Sequence, residues 1–238
     1  MLMTPRFVEF EDSAVMTAAL ADEIAQRLTR AVGERGVASL VVSGGGTPRP
    51  VFKALSGRPL AWDRVVVTLA DERWVDPRAA ESNERLVRRT LLTGHAAAAR
   101  FVPLKTDHLM PETGEAACNA ALGGIARPFD VVLLGMGDDG HTASLFPGAA
   151  ELTAALDPAT ARSACAVRPA RYPAAAPYPR MSLTLAALLD SAWIVLLIAG
   201  AGKKTVYDQA LAGEDTDHMP VRAVLHQTRV PIDVYWAP

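Results

Sequence analysis

One histidine of this sequence stands where acid–base chemistry is easiest to arrange. His141 follows the apolar run Val131 to Leu134 and the glycine loop GMGDDG at 135 to 140, which contains Asp138 and Asp139. A carboxylate that holds one imidazole nitrogen tunes the other nitrogen as a base. We therefore expect His141 to be a catalytic base, although a histidine in a glycine loop is often incidental.

Three cations stand where they could bind an anionic substrate. Arg73 follows the buried run Val65 to Leu69 and two carboxylates, and Lys203 follows a glycine turn. Arg180 follows the stretch Arg168 to Pro179, which we expect to be an extended loop that delivers Arg180 to the body of the protein, because its four prolines exclude a helix. Lysine and arginine are more often solvated surface groups, and Arg73 could simply pair with the carboxylates beside it.

The loop SGGGTP at 43 to 48 is the best candidate for a phosphate site. Glycines such as Gly44 and Gly45 let backbone amides approach an anion closely, and the hydroxyls of Ser43 and Thr47 can donate hydrogen bonds. The helix predicted after this loop adds a favourable dipole. The alternative is a tight strand-to-helix turn that binds nothing.

Two other glycine motifs match nucleotide sites poorly. GMGDDG at 135 to 140 fits the dinucleotide pattern GxGxxG, but its two aspartates would face a pyrophosphate and His141 falls where a helix should pack. GAGKKT at 200 to 205 resembles half of a Walker loop, but Leu197 takes the place of its first glycine. No pair of His, Cys, Asp or Glu has metal-ligand spacing, so we expect no cofactor and no metal.

Buried strands must place these residues at one edge of a sheet. Apolar runs predict strands at Phe7–Phe10, Ala38–Val42, Val65–Leu69, Val131–Leu134, Trp193–Ile198 and Ile232–Trp236. A helix is predicted from Asp12 or Ser13 to about Val32, and Thr142 to Leu145 is expected to open another. Strand, glycine loop and helix alternate, which is typical of α/β proteins whose ligands bind at the carboxyl ends of the strands.

Composition narrows the class of protein. The chain has 238 residues, half of them apolar, and a net charge of −2, which makes nucleic acid and anionic membranes poor partners. The most apolar stretch, Trp193 to Ala201, is too short to cross a bilayer. Cys118 and Cys165 lack metal-type spacing and are expected to be reduced thiols of a cytoplasmic protein, and the acidic N-terminal stretch does not predict an export signal.

Six motifs, taken in order, resemble those of the 6-phosphogluconolactonase family, within the wider group that includes glucosamine-6-phosphate isomerase/deaminase. They are SGGGTP at 43, DERWV at 71, SN at 82, GMGDDGHTASLFP at 135, PRMSLT at 179 and GAGKK at 200. The resemblance implies one α/β domain over residues 1–238, with a modified doubly wound, Rossmann-like and mostly parallel sheet flanked by helices. It also implies a carboxylic ester hydrolase that converts 6-phospho-D-glucono-1,5-lactone to 6-phospho-D-gluconate in the oxidative branch of the pentose phosphate pathway.

The resemblance also assigns roles to individual positions. His141 resembles the base that activates water, Asp139 the neighbour that orients it, and Arg73 the cation near the reacting carbonyl. The set that resembles the phosphate site is Ser43, Gly44, Gly45, Thr47, Arg180 and Lys203. Because a lactone is already an activated ester, no serine nucleophile is required, and Ser144 is expected to be structural.

Asp71 leaves an alternative open, because in the aminosugar isomerases an aspartate at this motif moves a proton between sugar carbons. Asp71 is therefore either catalytic or structural. The ring-opening motif of those enzymes resembles GHIAFNEP, whereas this chain has GHTASLFP, with Leu145 and Phe146 and no acid. The missing proton carrier favours lactone hydrolysis. A third hypothesis is a non-catalytic sugar-phosphate sensor, but His141 and its neighbours are intact and no DNA-binding appendage is recognisable.

Overall fold

The computed structural model describes residues 4–171 and 177–238. Part of the predicted proline-rich loop, residues 172–176, lies outside the described residues. No helix in the described part is both long enough and apolar enough to cross a membrane.

The described part forms one seven-stranded sheet, one three-stranded sheet and helices around them. The strands are β1 (Arg6–Glu9), β2 (Ala38–Val42), β3 (Val65–Leu69), β4 (Asp71–Arg73), β5 (Arg100–Val102), β6 (Val131–Leu134), β7 (Ala164–Val167), β8 (Arg180–Leu183), β9 (Ile194–Ala199) and β10 (Ile232–Ala237). The helices are α1 (Ser13–Arg35), α2 (Arg49–Ser56), α3 (Asn83–Thr90), α4 (Pro111–Gly123), α5 (Leu152–Ala155), α6 (Leu185–Leu189), α7 (Ala201–Ala212) and α8 (Val221–Leu225).

The seven strands of the main sheet are parallel and lie in the order β1-β10-β9-β6-β2-β3-β5. From β2 the chain moves outward through β3, and it returns to β6 on the other side of β2. The loops that leave β2 and β6 therefore diverge and open a crevice between them. Such a reversal of strand order is where open α/β sheets bind their ligands.

The central strands follow directly from the sequence. Every residue of β2, β3 and β6 is buried, as expected for parallel strands covered by helices on both faces. Their bounds agree with the predicted runs. Strand β9 begins and ends one residue later than predicted. The predicted α/β class with a doubly wound, mostly parallel sheet is confirmed.

The three-stranded sheet was not predicted as a unit. It is antiparallel, in the order β4-β8-β7, and β4 consists of the charged sequence Asp71, Glu72 and Arg73. Arg180 begins β8, directly after the predicted loop, and is 2% exposed. The pairing of β4 with β8 supplies the hydrogen bonds that a strand of such low propensity needs.

Backbone geometry extends one predicted helix and rules out one predicted helical turn. Helix α1 continues past Val32 and Gly33 to Arg35, and it ends where Gly36 adopts a left-handed φ of 76°. The predicted helical turn at Thr142 to Leu145 is a tight turn closed by a bridge between its two end residues. Ala143 there has a φ of 49°, which a right-handed helix does not allow.

Candidate active site

A cleft of about 300 Å³ opens at the reversal of strand order, between the loops that follow β2 and β6. Strands β4, β8 and β9 and the first residues of α3 and α7 complete its walls. Nearly every site residue predicted from the sequence lines this cleft: Ser43, Gly44, Gly45, Thr47, Asp71, Arg73, His141, Arg180 and Lys203. Asp139 is set back from the cleft, in contact with His141.

The loop after β6 fixes the ring of His141 from two sides. Asp139 Oδ1 lies 2.5 Å from His141 Nδ1 and also accepts the His141 backbone amide at 3.1 Å. Phe146 packs against the ring, with the ring centroids 4.3 Å apart. Nε2 of His141 makes no hydrogen bond to any described residue, so this nitrogen is available to a ligand in the cleft.

The close approach of Asp139 to His141 depends on a glycine and keeps the carboxylate charged. A Cβ on Gly137 would lie 2.1 Å from His141 Nδ1, so a larger residue cannot occupy this position. Partial burial would raise the pKa of Asp139, but the hydrogen bond and the positive charge of His141 outweigh burial and lower that pKa. The carboxylate therefore stays ionised at neutral pH and remains bound to Nδ1 of His141.

Asp71 is buried at the floor of the cleft and is held by two donors. Ser144 Oγ donates to Asp71 Oδ2 at 2.6 Å, and Asn83 Nδ2 donates to Asp71 Oδ1 at 3.3 Å and to its carbonyl at 2.9 Å. Ser144 is itself fully buried, and its amide donates to Ser182 Oγ. The Ser144 hydroxyl is thus engaged in fixing Asp71 and does not line the cleft.

Two arginines face each other across the small sheet. Arg73 in β4 is the cross-strand partner of Arg180 in β8, and both line the cleft. Like charges at opposed positions of a sheet repel each other, so an anion between them would stabilise the pair. Arg73 Nη1 donates to the Glu81 carbonyl at 2.6 Å, and its buried Nε has no partner among the described residues. Arg73 therefore does not form the alternative ion pair with Asp71 or Glu72.

The glycine loop after β2 presents several free hydrogen-bond donors to the cleft. Backbone amides of residues 44 to 47 donate to no described acceptor, and the buried Ser43 hydroxyl has no partner in the described part of the chain. Gly44 touches the wall opposite, because a Cβ there would lie 1.9 Å from Asn83 Oδ1. A loop of unpaired amides before a helix is a ready anion site.

Lys203 approaches the cleft from the first turn of α7 and carries an ion pair. Its Nζ lies 2.5 Å from Asp138 Oδ1, whose side chain is 90% exposed. The neighbouring Lys204 pairs instead with Asp208 on the same helix and does not line the cleft. Within residues 4–171 and 177–238, no three His, Cys, Asp or Glu side chains are grouped to hold a metal ion.

Sequence reasoning missed several residues of the cleft. Asn83 belongs to the motif SN at 82 but was given no role in the site, yet its side chain links Gly44 to Asp71. The apolar part of the wall was not predicted either, and it is formed by Met136, Ala143, Phe146, Leu197, Ile198 and Ala199. Phe146 could have been suspected, since it ends the same motif as His141. The contact of Asn83 with Gly44 leaves no local signal, because it joins two loops that are distant in the sequence.

Comparison with known proteins settles the family. The model of the family described as glucosamine-6-phosphate isomerases/6-phosphogluconolactonase matches residues 11–236. The chain belongs to this family. A 6-phosphogluconolactonase of Rhizobium meliloti (strain 1021) is 47% identical over 232 residues, covering 96% of this chain and 97% of the relative.

Other members of the glucosamine-6-phosphate isomerase/6-phosphogluconolactonase family agree in sequence and fold. A 6-phosphogluconolactonase of Mesorhizobium japonicum is 48% identical over 229 residues, covering 96% of this chain and 94% of that protein. The crystal structure of a 6-phosphogluconolactonase from Shewanella baltica OS155 superimposes with a TM-score of 0.94 at 44% identity, with all of both chains covered. The chain therefore has the fold of this family over its whole length.

Proposed function

We propose that this protein hydrolyses 6-phospho-D-glucono-1,5-lactone to 6-phospho-D-gluconate. The observation that carries the proposal is the placement of His141, oriented by Asp139, in the same cleft as an unpaired glycine loop and three cations. This arrangement offers a base and an anion site in one cleft. The 6-phosphogluconolactonase names of close relatives support the same reaction.

The chemistry follows from the positions of His141 and Asp139. Nε2 of His141 takes a proton from a water molecule as the water oxygen attacks the lactone carbonyl carbon. Asp139 holds Nδ1, which fixes the tautomer and stabilises the imidazolium that forms. The tetrahedral intermediate then collapses, the ring C–O bond breaks, and the leaving ring oxygen receives the proton from His141.

Arg73 is the group suited to the negative charge that develops on the carbonyl oxygen. Its guanidinium lines the cleft, keeps one bond to the Glu81 carbonyl, and leaves Nε without a partner among the described residues. A fixed positive group stabilises an oxyanion without reorganising during the reaction. Asp71, buried and hydrogen-bonded to Ser144, shapes the floor beneath it in this proposal.

The phosphate of the substrate is proposed to bind in the same cleft, at the glycine loop after β2. The free amides of residues 44 to 47, the hydroxyls of Ser43 and Thr47, and the cations Arg180 and Lys203 line the cleft and are its proposed ligands. Charge-assisted hydrogen bonds from such groups suit a dianionic phosphate. The proposal needs no metal or cofactor, because the lactone carbonyl is already activated and groups of the protein compensate the negative charges of the oxyanion and the phosphate.

One observation disfavours the aminosugar isomerase reaction. At the position where that motif would place a glutamate, this chain has Phe146, whose ring packs on His141 and is 4% exposed. A phenyl ring cannot carry the proton that ring opening and isomerisation require.

We retain the cytoplasmic location and the single domain over residues 1–238 as parts of the proposal.

The purified protein tests this proposal with two substrates. The rate of 6-phosphogluconolactone disappearance, corrected for spontaneous hydrolysis, is expected to rise in proportion to enzyme concentration. Release of ammonia from glucosamine 6-phosphate is expected to stay at background. Ammonia release without lactone hydrolysis would favour the isomerase, and tight binding of 6-phosphogluconate without any turnover would favour a sensor.

A further inference from the structure

The side chain of Glu72 is a buried carboxylate that the proposed reaction does not use. It is 1% exposed and accepts four hydrogen bonds. Oε1 accepts the backbone amides of Arg73 at 2.6 Å and Asn83 at 2.8 Å, and Oε2 accepts the Glu84 amide at 2.7 Å and the Ser82 hydroxyl at 3.0 Å. The carboxylate therefore joins strand β4 to the first turn of helix α3.

Strand geometry places Glu72 behind the cleft. Successive side chains of a strand point to opposite faces, and Asp71 and Arg73 line the cleft while Glu72 does not. Two of its four partners, Arg73 and Asn83, line the cleft. Asn83, whose amide is held by Glu72, donates its own side-chain amide to Asp71 and lies against Gly44.

From these contacts we infer that Glu72 is a positioning residue for the proposed lactone hydrolysis, setting Asn83, Asp71 and Arg73 relative to one another. The inference rests on the proposed function for its effect on turnover. Two paths of contact leave the carboxylate. One runs through the Asn83 amide to Asp71, and the other runs through the Arg73 amide to the side chain that faces the carbonyl.

The four donors around Glu72 require a side chain that only accepts hydrogen bonds. Burial raises the pKa of Glu72 to about 7, and the surrounding hydrogen bonds oppose that rise. All four partners donate, so glutamine at this position would turn an NH₂ group toward two of them. An isosteric substitution thus breaks two contacts without changing the size of the side chain.

The test compares Glu72→Gln with Asp130→Asn, a matched control at a buried carboxylate next to the main sheet. Asp130 is also buried and accepts the Ser39 amide at 2.8 Å, but it precedes β6 rather than following a strand into the cleft. Glu72→Gln is expected to lower kcat by about tenfold to a hundredfold, because small misplacements of reacting groups have effects of that order. The inhibition constant of inorganic phosphate should change by less than about threefold, since Glu72 reaches Gly44 of the phosphate loop only indirectly, through Asn83. Asp130→Asn should lower the melting temperature and leave kcat near wild type.

Equal effects of the two substitutions on kcat, at equal fraction folded, would overturn the inference. If Glu72→Gln does not fold, Asn83→Ala keeps the backbone contact with Glu72 and cuts the path to Asp71, and it should lower kcat in the same way. A readout without turnover separates this inference from the proposed function. The side-chain amide resonance of Asn83, assigned by its loss in Asn83→Ala, should shift in Glu72→Gln and stay in place in Asp130→Asn, and an unmoved resonance would refute the positioning role.

Discussion

Lys203 and Asp138 form an ion pair at the edge of the cleft, with Nζ of the lysine 2.5 Å from Oδ1 of the aspartate. Lys203 belongs to the proposed phosphate site, and Asp138 belongs to the same glycine loop as His141. A bound phosphate and Asp138 would both be attracted to the same ammonium group. Phosphate binding must therefore displace Asp138 or place two anions beside one cation.

Removing this competition should strengthen phosphate binding. Asp138→Asn is expected to lower the inhibition constant of inorganic phosphate by about twofold to fivefold, which is the range of an exposed ion pair. The control is Asp208→Asn, which removes the carboxylate charge that pairs with Lys204 on the same helix, away from the cleft. Competition kinetics at low and high salt measure both variants. An equal gain in Asp208→Asn would show a general charge effect instead.

Gly44 should tolerate no side chain, because its neighbour is fixed. The Cβ of Gly44→Ala would lie 1.9 Å from Asn83 Oδ1 and would push Asn83 away from Asp71. We expect kcat/KM to fall by at least about tenfold. Gly46→Ala, with nothing within 4 Å of its Cβ, should lose far less. Similar losses in steady-state assays of the two variants would mean that loop flexibility, rather than the Asn83 contact, sets activity.

Ser144 is expected to stabilise Asp71 and not to form a covalent intermediate. Ser144→Ala removes the 2.6 Å hydrogen bond to a buried carboxylate, so the free energy of unfolding should fall by about 1–3 kcal/mol. Turnover should remain well above that of His141→Ala. Denaturant unfolding and steady-state rates provide both numbers. An acyl-enzyme seen by mass spectrometry in wild type and absent in Ser144→Ala would contradict this view.

The raised pKa of Glu72 predicts how stability depends on pH. The pKa of Glu72 is about 7 in the folded protein, whereas its ordinary value is 4.5. Between pH 4.5 and about 7 the folded state therefore binds more protons than the unfolded state does. Stability from this group therefore falls as pH rises from about 4.5 to about 7, by at most about 3 kcal/mol, and is level above that. The difference in unfolding free energy between wild type and Glu72→Gln should follow this trend. A difference that is constant with pH would contradict it.

Much of the fold could be predicted because its signals are local. The apolar runs of β2, β3 and β6 are long enough to be buried on both faces, and glycine and proline mark their ends. Strand β4 gave no such signal, since three charged residues form a strand only when β8 pairs with them. The turn at Ala143 was mistaken for a helix because its left-handed φ is set by packing rather than by residue type.

The candidate site was predictable to the extent that its residues lie in glycine loops at strand ends. His141, Asp139 and the loop at 43 to 47 were found in this way, and the structure brings them to one cleft. The burial of Arg180 and the link from Asn83 to Asp71 were not predicted. Arg180 is buried in β8, which pairs with β4, a strand distant in the sequence that the sequence does not announce, and Asn83 reaches Asp71 in that same strand.

His141→Ala provides the most direct test of the central claim. The rate of 6-phosphogluconolactone disappearance, corrected for spontaneous hydrolysis, is measured for wild type and variant side by side, with circular dichroism to confirm that both are folded. The account predicts that wild type accelerates the reaction and that the variant loses about a hundredfold or more. Acceleration that survives the substitution would contradict a base at His141 and would direct attention to Asp71.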